Sequence, residues 1–540
     1  MGDYIGVWTK AQQGTAKGAK ANATKDNSLS WIWDNIVNYT WKKSVHSITA
    51  TGVFSAQKYQ YDRLYGASKD LSFNSLWYNL NGGAIESLSS NFSQWTMMSY
   101  VGRINYGLMD RYLLTASLRY DGSSRLSEGN KWALFPSAAI AWRITEEDFA
   151  KNLDWLSNLK LRFSYGQAGN TNSVSPYASE GTISGSVYYP FGTSTSVGNL
   201  PANIANPMLT WERTSEYNVG LDFGFLNQRI SGNIEYYNRT TNDLLMKRNI
   251  PVHLGYSSVT SNVGSVRNSG FELQLNTANI MTKNFAWNTT INLAYNKNEI
   301  VSLADEEDLS NYSIHLQGMR GRYSDKRFIG KPVDTNWTQN TIGVWQLGEE
   351  EEAAKYGCVP GNFKIKDYNN DGKLTDDDYI IDGKRTPDWT GGMTNMFKIY
   401  DFDFSFHMYF QAGATQYDRF FENFALEWNS QNFNNLRTNY WTPENPSNTM
   451  GRPSQMGSRG NIAYERTDFL KVSYITLGYT LNKRLMSKWG LDNARIYVTV
   501  QNPFILTKFR GLDPEQPDLT NIGDTDGMTM NALLGVNISF

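Results

Sequence analysis

Apolar and polar side chains alternate with a period of two in the segment FAWNTTINLAYNKN, residues 285–298. Trp287, Ile291 and Tyr295 fall on one face of an extended strand, and the other face carries mainly asparagine and threonine. An apolar face with aromatic residues at both ends, opposite a face that suits water, is typical of a transmembrane β-barrel strand. A half-exposed strand of a soluble sandwich has a similar pattern. The prediction therefore depends on whether the alternation repeats.

The same alternation recurs from end to end of the chain, and charged residues repeatedly fall on one of the two faces. A Lys or Arg that faces lipid at the bilayer midplane costs about 2–4 kcal/mol, whereas one that faces the lumen is tolerated. We therefore expect Arg103, Arg119, Lys160 and Arg162 to line a solvated inner wall. Fifteen strands are predicted, or sixteen with Tyr4–Lys10, at residues 28–42, 46–60, 96–108, 111–121, 132–144, 158–170, 212–225, 229–246, 262–276, 285–300, 390–400, 401–414, 469–483, 494–508 and 530–540.

The connectors between these strands alternate in length. On one side they are short or nearly so, like 43–45, while the other side includes 301–389 and 415–468. Outer-membrane barrels sort their connectors in this way, with short periplasmic turns and long extracellular loops, and a soluble sandwich has no reason to do so. The predicted fold class is all-β, an antiparallel transmembrane β-barrel over residues 1–540. The connector 145–157 is predicted to form one short amphipathic helix at the periplasmic rim.

Composition excludes several other classes of protein. The net charge is −2 with no block of like charge, so no nucleic-acid partner is indicated. No apolar run of about 18 residues predicts a membrane-spanning helix. Cys358 is the single cysteine, and the sequence has no catalytic motif, so an enzyme is not predicted. MGDYIGVWTK lacks the features of an export signal, which a barrel requires, so we expect that Met1 is not the native start or that an N-terminal part is missing.

The final residues, NALLGVNISF, form an alternating strand that ends on an aromatic residue. Leu534, Val536, Ile538 and Phe540 share its apolar face. This pattern is similar to the C-terminal signal that the outer-membrane barrel assembly machinery recognises, so Phe540 is a candidate assembly signal. The alternative is a strand that happens to finish the chain.

The segment DYNNDGKLTDDD, residues 367–378, matches the template of an EF-hand calcium loop. Hard oxygen ligands at this spacing curl around one cation, and a single structural Ca²⁺ that orders the loop is predicted. The sequence departs from the template in having Asp instead of Glu at the last position, and no flanking helices are evident. An Asp/Asn/Gly turn of similar composition is the alternative. The candidate ligands are Asp367, Asn369, Asp371, Lys373 through its carbonyl, Thr375 and Asp378.

Aromatic residues are frequent in the predicted external loops. Flat aromatic faces stack on sugar rings, and neighbouring polar groups bond hydroxyls. The alternative is that these side chains pack the loops against each other or against a partner, and for any single residue this alternative is favoured. The candidate ligand- or partner-binding residues are Trp337, Trp345, Trp389, Trp428 and Trp441.

Long segments spread along the chain resemble the SusC/RagA-type TonB-dependent transporters. They are YVGRINYGLMDRYLLTASLRYDGSSRL (100–126), WALFPSAAIAWRITEEDF (132–149), LKLRFSYGQAGNTN (159–172), NPMLTWERTSEYNVGLDFGF (206–225), NVGSVRNSGFELQLN (262–276) and YVTVQNPFILTKFRGLDPE (497–515). The resemblance covers nearly the whole chain. It implies a barrel of about 22 strands with a plugged lumen. Because fifteen or sixteen strands are predicted and no plug domain is present, the chain is interpreted as the C-terminal portion of such a barrel.

The resemblance also implies a function and partners. The complete protein would import oligosaccharides, or less often oligopeptides, across the outer membrane of a Gram-negative bacterium. A SusD-like surface lipoprotein would close over the external mouth, and TonB with ExbB and ExbD would pull on the missing plug. The alternatives are a passive diffusion porin, a truncated barrel fragment without function, and a soluble all-β binding module.

Overall fold

A computed structural model describes most of the chain. The described residues are 4–5, 19–71, 78–250, 253, 255–256, 258–310, 312–426, 438–453, 458–482, 486, 490–517 and 528–540. None of the described helices is both long enough and apolar enough to cross a membrane.

Within the described residues, sixteen strands form one antiparallel sheet, and each strand pairs with the strands before and after it in sequence. Each of the fifteen predicted strands overlaps a strand of this sheet, and the strand predicted at Tyr4–Lys10 is described only at Tyr4–Ile5. Among the described residues, β1 and β16 each pair on one side only. The strands are β1 Tyr4–Ile5, β2 Ala19–Lys43, β3 His46–Leu71, β4 Ala84–Leu108, β5 Tyr112–Ser123, β6 Trp132–Arg143, β7 Leu156–Asn170, β8 Glu212–Phe225, β9 Ile230–Asn242, β10 Ser265–Met281, β11 Phe285–Ser302, β12 Trp389–Ile399, β13 Phe402–Ala412, β14 Phe469–Thr480, β15 Asn493–Thr507 and β16 Asn531–Ser539.

The register separates the side chains into two faces, as the alternation predicted. One row across adjacent strands is apolar and consists of Leu161, Leu221, Ile234, Leu273 and Leu293. The next row, on the opposite face, is polar and consists of Lys160, Asp222, Asn233, Gln274 and Asn292. We call these the apolar face and the polar face of the sheet. Ile291 lies on the apolar face between Leu275 and Met393.

Strands β2, β3 and β4 are 25, 26 and 25 residues long, well beyond the 9–11 residues that cross a bilayer. The predicted strands at 28–42, 46–60 and 96–108 were too short, and all the added residues except Lys43 lie at the end of the sheet opposite the short turn 44–45. The alternation fades there because this projecting part mixes polar and apolar side chains on both faces.

Most long connectors lie at one end of the sheet, as the predicted sorting requires. The connectors at the other end have at most 12 residues and are 44–45, 109–111, 144–155, 226–229, 282–284, 400–401 and 481–492. The set that contains the long connectors is 72–83, 124–131, 171–211, 243–264, 303–388, 413–468 and 508–530, of which 72–83 and 124–131 are no longer than the first set.

The helix predicted at 145–157 is wrong. The chain instead forms a 3-10 helix at Ile144–Glu146, then turns, and β7 begins at Leu156. The Glu147 carboxylate turns back to the sheet. It accepts from the Tyr112 hydroxyl at 2.6 Å and from Trp142 Nε1 at 3.0 Å.

The two longest connectors, 303–388 and 413–468, pack together into one unit that we call the external lobe. Backbone amides in one connector donate to asparagines in the other: Thr341 N to Asn461 Oδ1 at 3.0 Å, and Val344 N to Asn448 Oδ1 at 2.9 Å. The lobe therefore has a core of its own, separate from the sheet. Its buried apolar residues include Val344, Phe363, Ile365, Phe421, Trp441, Met450 and Ala463.

Short elements decorate the connectors. The additional strand pairs and triplets are Ile183–Phe191 with Ser194–Pro201, Leu245–Asn249 with Ser258–Asn262, Glu307–Asp308 with Arg320–Arg322 and Arg327–Phe328, Thr335–Gln339 with Tyr379–Lys384, Thr341–Val344 with Phe363–Ile365, and Thr415–Tyr417 with Tyr464–Arg466. The remaining helices are the α-helices Glu350–Lys355 and Arg419–Phe421, the π-helix Glu422–Leu426, and the 3-10 helices Leu80–Gly82, Ile314–Leu316, Tyr323–Asp325 and Asp376–Asp378.

Candidate functional site

The polar face of the sheet carries a network of ion pairs around Arg162. Its Nη2 lies 2.7 Å from Asp222 Oδ1 and 2.8 Å from Glu235 Oε1. Lys160 Nζ contacts the other oxygen of Asp222 at 2.7 Å. Strands β7, β8 and β9 are neighbours, so their register places these charges side by side. The structure confirms that Lys160 and Arg162 share the polar face.

A recess of about 510 Å³ lies next to this network on the polar face. Gly392 keeps it open, because a Cβ there would stand 3.0 Å from His407 Cε1. The His407 ring is held by a 2.9 Å hydrogen bond between its Nδ1 and Thr394 Oγ1. The polar residues that line the recess are Asn233, Glu235, Glu272, Gln274, Asn292, Thr390, His407 and Tyr409.

An aromatic patch lies on the part of β3 and β4 that projects beyond a bilayer. Tyr59 and Trp95 stack with their centroids 5.9 Å apart, and the Arg125 guanidinium lies 4.6 Å from the Trp95 centroid. The Tyr61 hydroxyl donates to Asp26 Oδ1 at 3.0 Å. These rings continue the polar face and are half-buried. We call Tyr59, Tyr61, Trp95 and Arg125 the aromatic patch.

The patch is not predicted from the sequence, because its rings lie where the predicted strands 46–60 and 96–108 meet their loop rather than within one predicted element. The signal that was available is the run YQY at 59–61, in which two tyrosines share one face of a strand. Because the strand is predicted to end at residue 60, Tyr61 falls in a predicted loop.

Three of the candidate tryptophans pack inside the external lobe. Trp345 and Trp441 are 3% and 6% exposed, too little to stack on a sugar in this conformation. Trp337 is half-buried, with its ring centroid 5.1 Å from that of Phe328. Trp441 Nε1 donates to Gln346 Oε1 at 3.0 Å and thereby links the two connectors. At these three positions the side chains pack the loops against each other, as the alternative to ligand binding predicts.

The other two candidate tryptophans lie elsewhere. Trp389 is the first residue of β12 and not part of a loop. Its ring contacts Tyr295 and Phe271 on the apolar face, with centroids 4.9 and 5.4 Å away. This position suits the aromatic belt of a membrane barrel more than a ligand contact. Trp428 lies outside the described residues.

Phe540 follows directly after β16 and is 91% exposed. It continues the apolar row of Leu534, Val536 and Ile538, which are all more than half exposed. The terminal strand therefore has the predicted alternation. Recognition of Phe540 by the assembly machinery stays a prediction.

The segment 367–378 forms a tight loop within the external lobe, closed by hydrogen bonds from the backbone to two carboxylates. Asp367 accepts from Asn370 N at 2.6 Å and from Gly372 N at 2.9 Å. Asp378 is fully buried and accepts from Tyr368 N at 2.8 Å and Thr375 N at 2.9 Å.

These bonds determine how the candidate calcium ligands are arranged. Asp371 accepts from Lys373 N at 2.8 Å, and Asn369 accepts from Asp371 N at 3.1 Å. Burial opposes ionisation of Asp367, but the Gly372 amide and the Tyr356 hydroxyl outweigh it, and its pKa is lowered. Across the described part of the chain, no three His, Cys, Asp or Glu side chains converge closely enough to hold a metal ion. Calcium binding stays a prediction from the motif.

Comparison with known proteins gives a consistent result. Residues 4–390 match the family described as TonB dependent receptor-like, beta-barrel. The chain is 32% identical to TonB-dependent receptor P26 of Formosa agariphila, over 97% of this chain and 54% of the relative. It is 35% identical to TonB-dependent receptor SusC of Bacteroides thetaiotaomicron, over 82% of this chain and 44% of the relative.

The fold also matches a solved structure, that of the RagAB peptide transporter. The TM-score is 0.79 at 23% identity, over 98% of this chain and 57% of the other. The chain spans about half the length of the curated relatives it matches.

Proposed function

The chain belongs to the TonB-dependent receptor β-barrel family, and we propose that it forms part of the wall of a SusC/RagA-type importer. Members of this family are outer-membrane proteins of Gram-negative bacteria. The observation that carries the proposal is the two-faced sheet. Its apolar face suits contact with lipid. Its polar face holds the ion pairs around Arg162, and such charged groups are tolerated where a barrel wall faces water.

The ligand that we propose is an oligosaccharide, with an oligopeptide as the alternative. The aromatic patch supports a sugar, because the stacked pair Tyr59 and Trp95 offers an apolar surface. Arg125, which lies over the Trp95 ring, and Asp26, which accepts from Tyr61, are polar groups that can bond hydroxyls. The patch lies on the external projection of the polar face, where an incoming ligand arrives first. The peptide alternative is supported by the similarity to a structure described as a peptide transporter.

The partners that we propose follow from the family and from the external lobe. A SusD-like lipoprotein would rest on the lobe, whose shared core around Trp441 gives a firm platform. TonB, with ExbB and ExbD, would act on a plug carried by the longer protein. A passive porin is the competing function.

Uptake by cells tests the proposal. A deletion strain that carries the full-length gene should accumulate fluorescently labelled soluble glycans, and dissipation of the proton-motive force should stop accumulation. Trp95→Ala should weaken glycan binding about fivefold, since loss of a stacking contact costs about 1 kcal/mol. Phe92→Ala is the matched control, because Phe92 lies on the other face of β4 and is 51% exposed.

The outcomes separate the candidates. Uptake that persists without a proton-motive force indicates a porin. Accumulation of labelled peptides but not glycans selects the peptide alternative. Equal effects of Trp95→Ala and Phe92→Ala would remove the aromatic patch from the ligand path.

A further inference from the structure

Arg125, in the connector 124–131 at the external end of the sheet, is a half-buried cation without a counter-ion. No carboxylate of the described residues lies within ion-pair distance of its guanidinium. Burial lowers the pKa of Arg125, and no acidic side chain offsets that effect. The connector 171–211, which contacts the guanidinium, has one acidic residue, the exposed Glu180. Because a buried charge is costly unless it is paired, this position favours an anion.

The guanidinium of Arg125 is held in one orientation by the protein itself. Its Nη1 donates to two backbone carbonyls of the connector 171–211, Thr171 O at 3.1 Å and Val174 O at 3.0 Å. Its central carbon lies over the Trp95 ring, 4.6 Å from the centroid, which is a cation–π distance. The group is therefore oriented before a ligand arrives, which reduces the entropic cost of binding.

The opposite edge of this guanidinium is free. Nε and Nη2 have no hydrogen-bond partner among the described residues, yet both are accessible to solvent. Two parallel N–H groups of this kind match the two oxygens of a carboxylate. Arg63 shows the contrast, because it lies on the same face of β3 as Tyr59 but has a carboxylate nearby, with its Nε 3.6 Å from Asp26 Oδ1.

We propose that Arg125 binds the carboxylate of an acidic sugar through Nε and Nη2, so that the ligand of the aromatic patch is a glycan containing uronic acid residues. The inference rests on the proposed function, whose ligand class it narrows. A uronate suits both parts of the patch: its carboxylate meets the guanidinium, and the apolar face of its ring meets the surface of Tyr59 and Trp95. An acidic peptide offers the carboxylate without a sugar ring beside it.

Binding of trigalacturonate to the purified full-length protein, measured by calorimetry at low salt, tests the proposal. The fully methyl-esterified trisaccharide is the uncharged match. The parent should bind the acid about tenfold more tightly than the ester, because only the acid accepts charge-assisted hydrogen bonds. Arg125→Gln should remove this preference and leave binding of the ester nearly unchanged. Arg125→Lys keeps the charge but loses the paired N–H groups, so it should retain only part of the preference.

The matched control is Lys58→Gln, which removes a positive charge from the opposite face of β3, next to Tyr59. It should leave the preference for the acid intact. An equal loss of acid and ester binding in Arg125→Gln would overturn the proposal, since Arg125 would then only hold the connector. Equal binding of acid and ester by the parent, or no binding of the acid, would also overturn it.

The peptide alternative has its own result in the same assay. Arg125-dependent binding of tri-glutamate, with no binding of trigalacturonate, would overturn the sugar and assign the arginine to a peptide. None of these measurements requires transport. Uptake that persists without a proton-motive force would refute the import proposal while leaving the preference for the acid in place, so the two failures are distinguishable.

Discussion

The sheet and the external lobe are built on opposite principles. In the sheet, each strand pairs with its sequence neighbours, and the side chains follow one rule with a period of two. In the lobe, short strands and turns are held by contacts between residues far apart in sequence, such as Thr341 with Asn461. The sheet therefore depends on which face a residue occupies, whereas the lobe depends on individual buried groups. Substitutions should reveal this difference.

The largest effect on assembly is expected when an arginine is placed on the apolar face of a strand rather than on its polar face. Ile291 and Asn292 are adjacent in β11 but lie on the apolar and polar faces respectively. Ile291→Arg should nearly abolish folded protein in the outer membrane, because an arginine facing lipid costs about 2–4 kcal/mol and assembly fails. Asn292→Arg should be tolerated. Heat-modifiable mobility of outer-membrane fractions measures the folded amount, and equal tolerance of both variants would contradict the assigned faces.

Removal of one buried aromatic ring should cause a comparable loss of stability that is confined to the external lobe. Trp441→Ala deletes a core side chain and its bond to Gln346, at a cost of about 3–5 kcal/mol. We expect rapid proteolysis within 303–388 and 413–468 while heat-modifiable mobility stays unchanged. Tyr440→Ala is the control, since Tyr440 is 40% exposed. Loss of the sheet together with the lobe would show that the two are not independent.

These two regions also differ in how far the sequence predicts them. The alternation is local, so all fifteen strands were predictable, and the faces of Ile291 and Asn292 followed directly. The ends of β2–β4 were missed because polar and apolar residues are mixed on both faces there. Positions in the lobe were not predictable, because burial of Trp345 and Trp441 results from contacts across about a hundred residues, such as Trp441 with Gln346.

The candidate sites show the same limit. The motif at 367–378 predicted a tight loop, but not that backbone amides would occupy Asp367 and Asp378. The pairing of Glu235 with Glu272 depends on strand register, which the sequence of a single strand does not determine.

The stability of the external lobe should depend on pH through the carboxyl group of Asp418. Asp418 is fully buried, and only its Oδ1 is bonded, to Phe421 N at 2.9 Å, while Oδ2 has no partner. Burial raises the pKa of this carboxyl to about 6, with Glu465 adding to the rise and Arg510 opposing it. Because the folded lobe binds this proton more tightly than the unfolded chain, the lobe is more stable below pH 6 and loses that stability as pH rises through about 6.

Protease resistance of the lobe should therefore increase from pH 7.5 to 5, by about 1.4 kcal/mol of local stability, since pH 5 lies about one unit below the raised pKa. Asp418→Asn keeps the bond to Phe421 N and should make resistance at pH 7.5 equal to that at pH 5. Glu444→Gln, on an exposed part of the lobe, should leave the pH dependence unchanged. A pH profile that is identical in the parent and Asp418→Asn would exclude this carboxyl as its source.

Calcium should give the smallest effect, because the loop at 367–378 is already closed by its own amides. Extracellular calcium sites bind at about 10⁻⁴–10⁻³ M, so 1 mM Ca²⁺ would add about 0.4–1.4 kcal/mol to a folded lobe. We expect calcium to slow proteolysis of 303–388 slightly in the parent and not in the double variant Asp367→Ala with Asp371→Ala. Asp367→Ala also breaks the bond to Gly372 N, so the difference with and without calcium, rather than absolute resistance, is the readout. If calcium has no effect on the parent, the loop is ordered by hydrogen bonds alone, and a motif that matches the spacing of a metal site serves here as a turn.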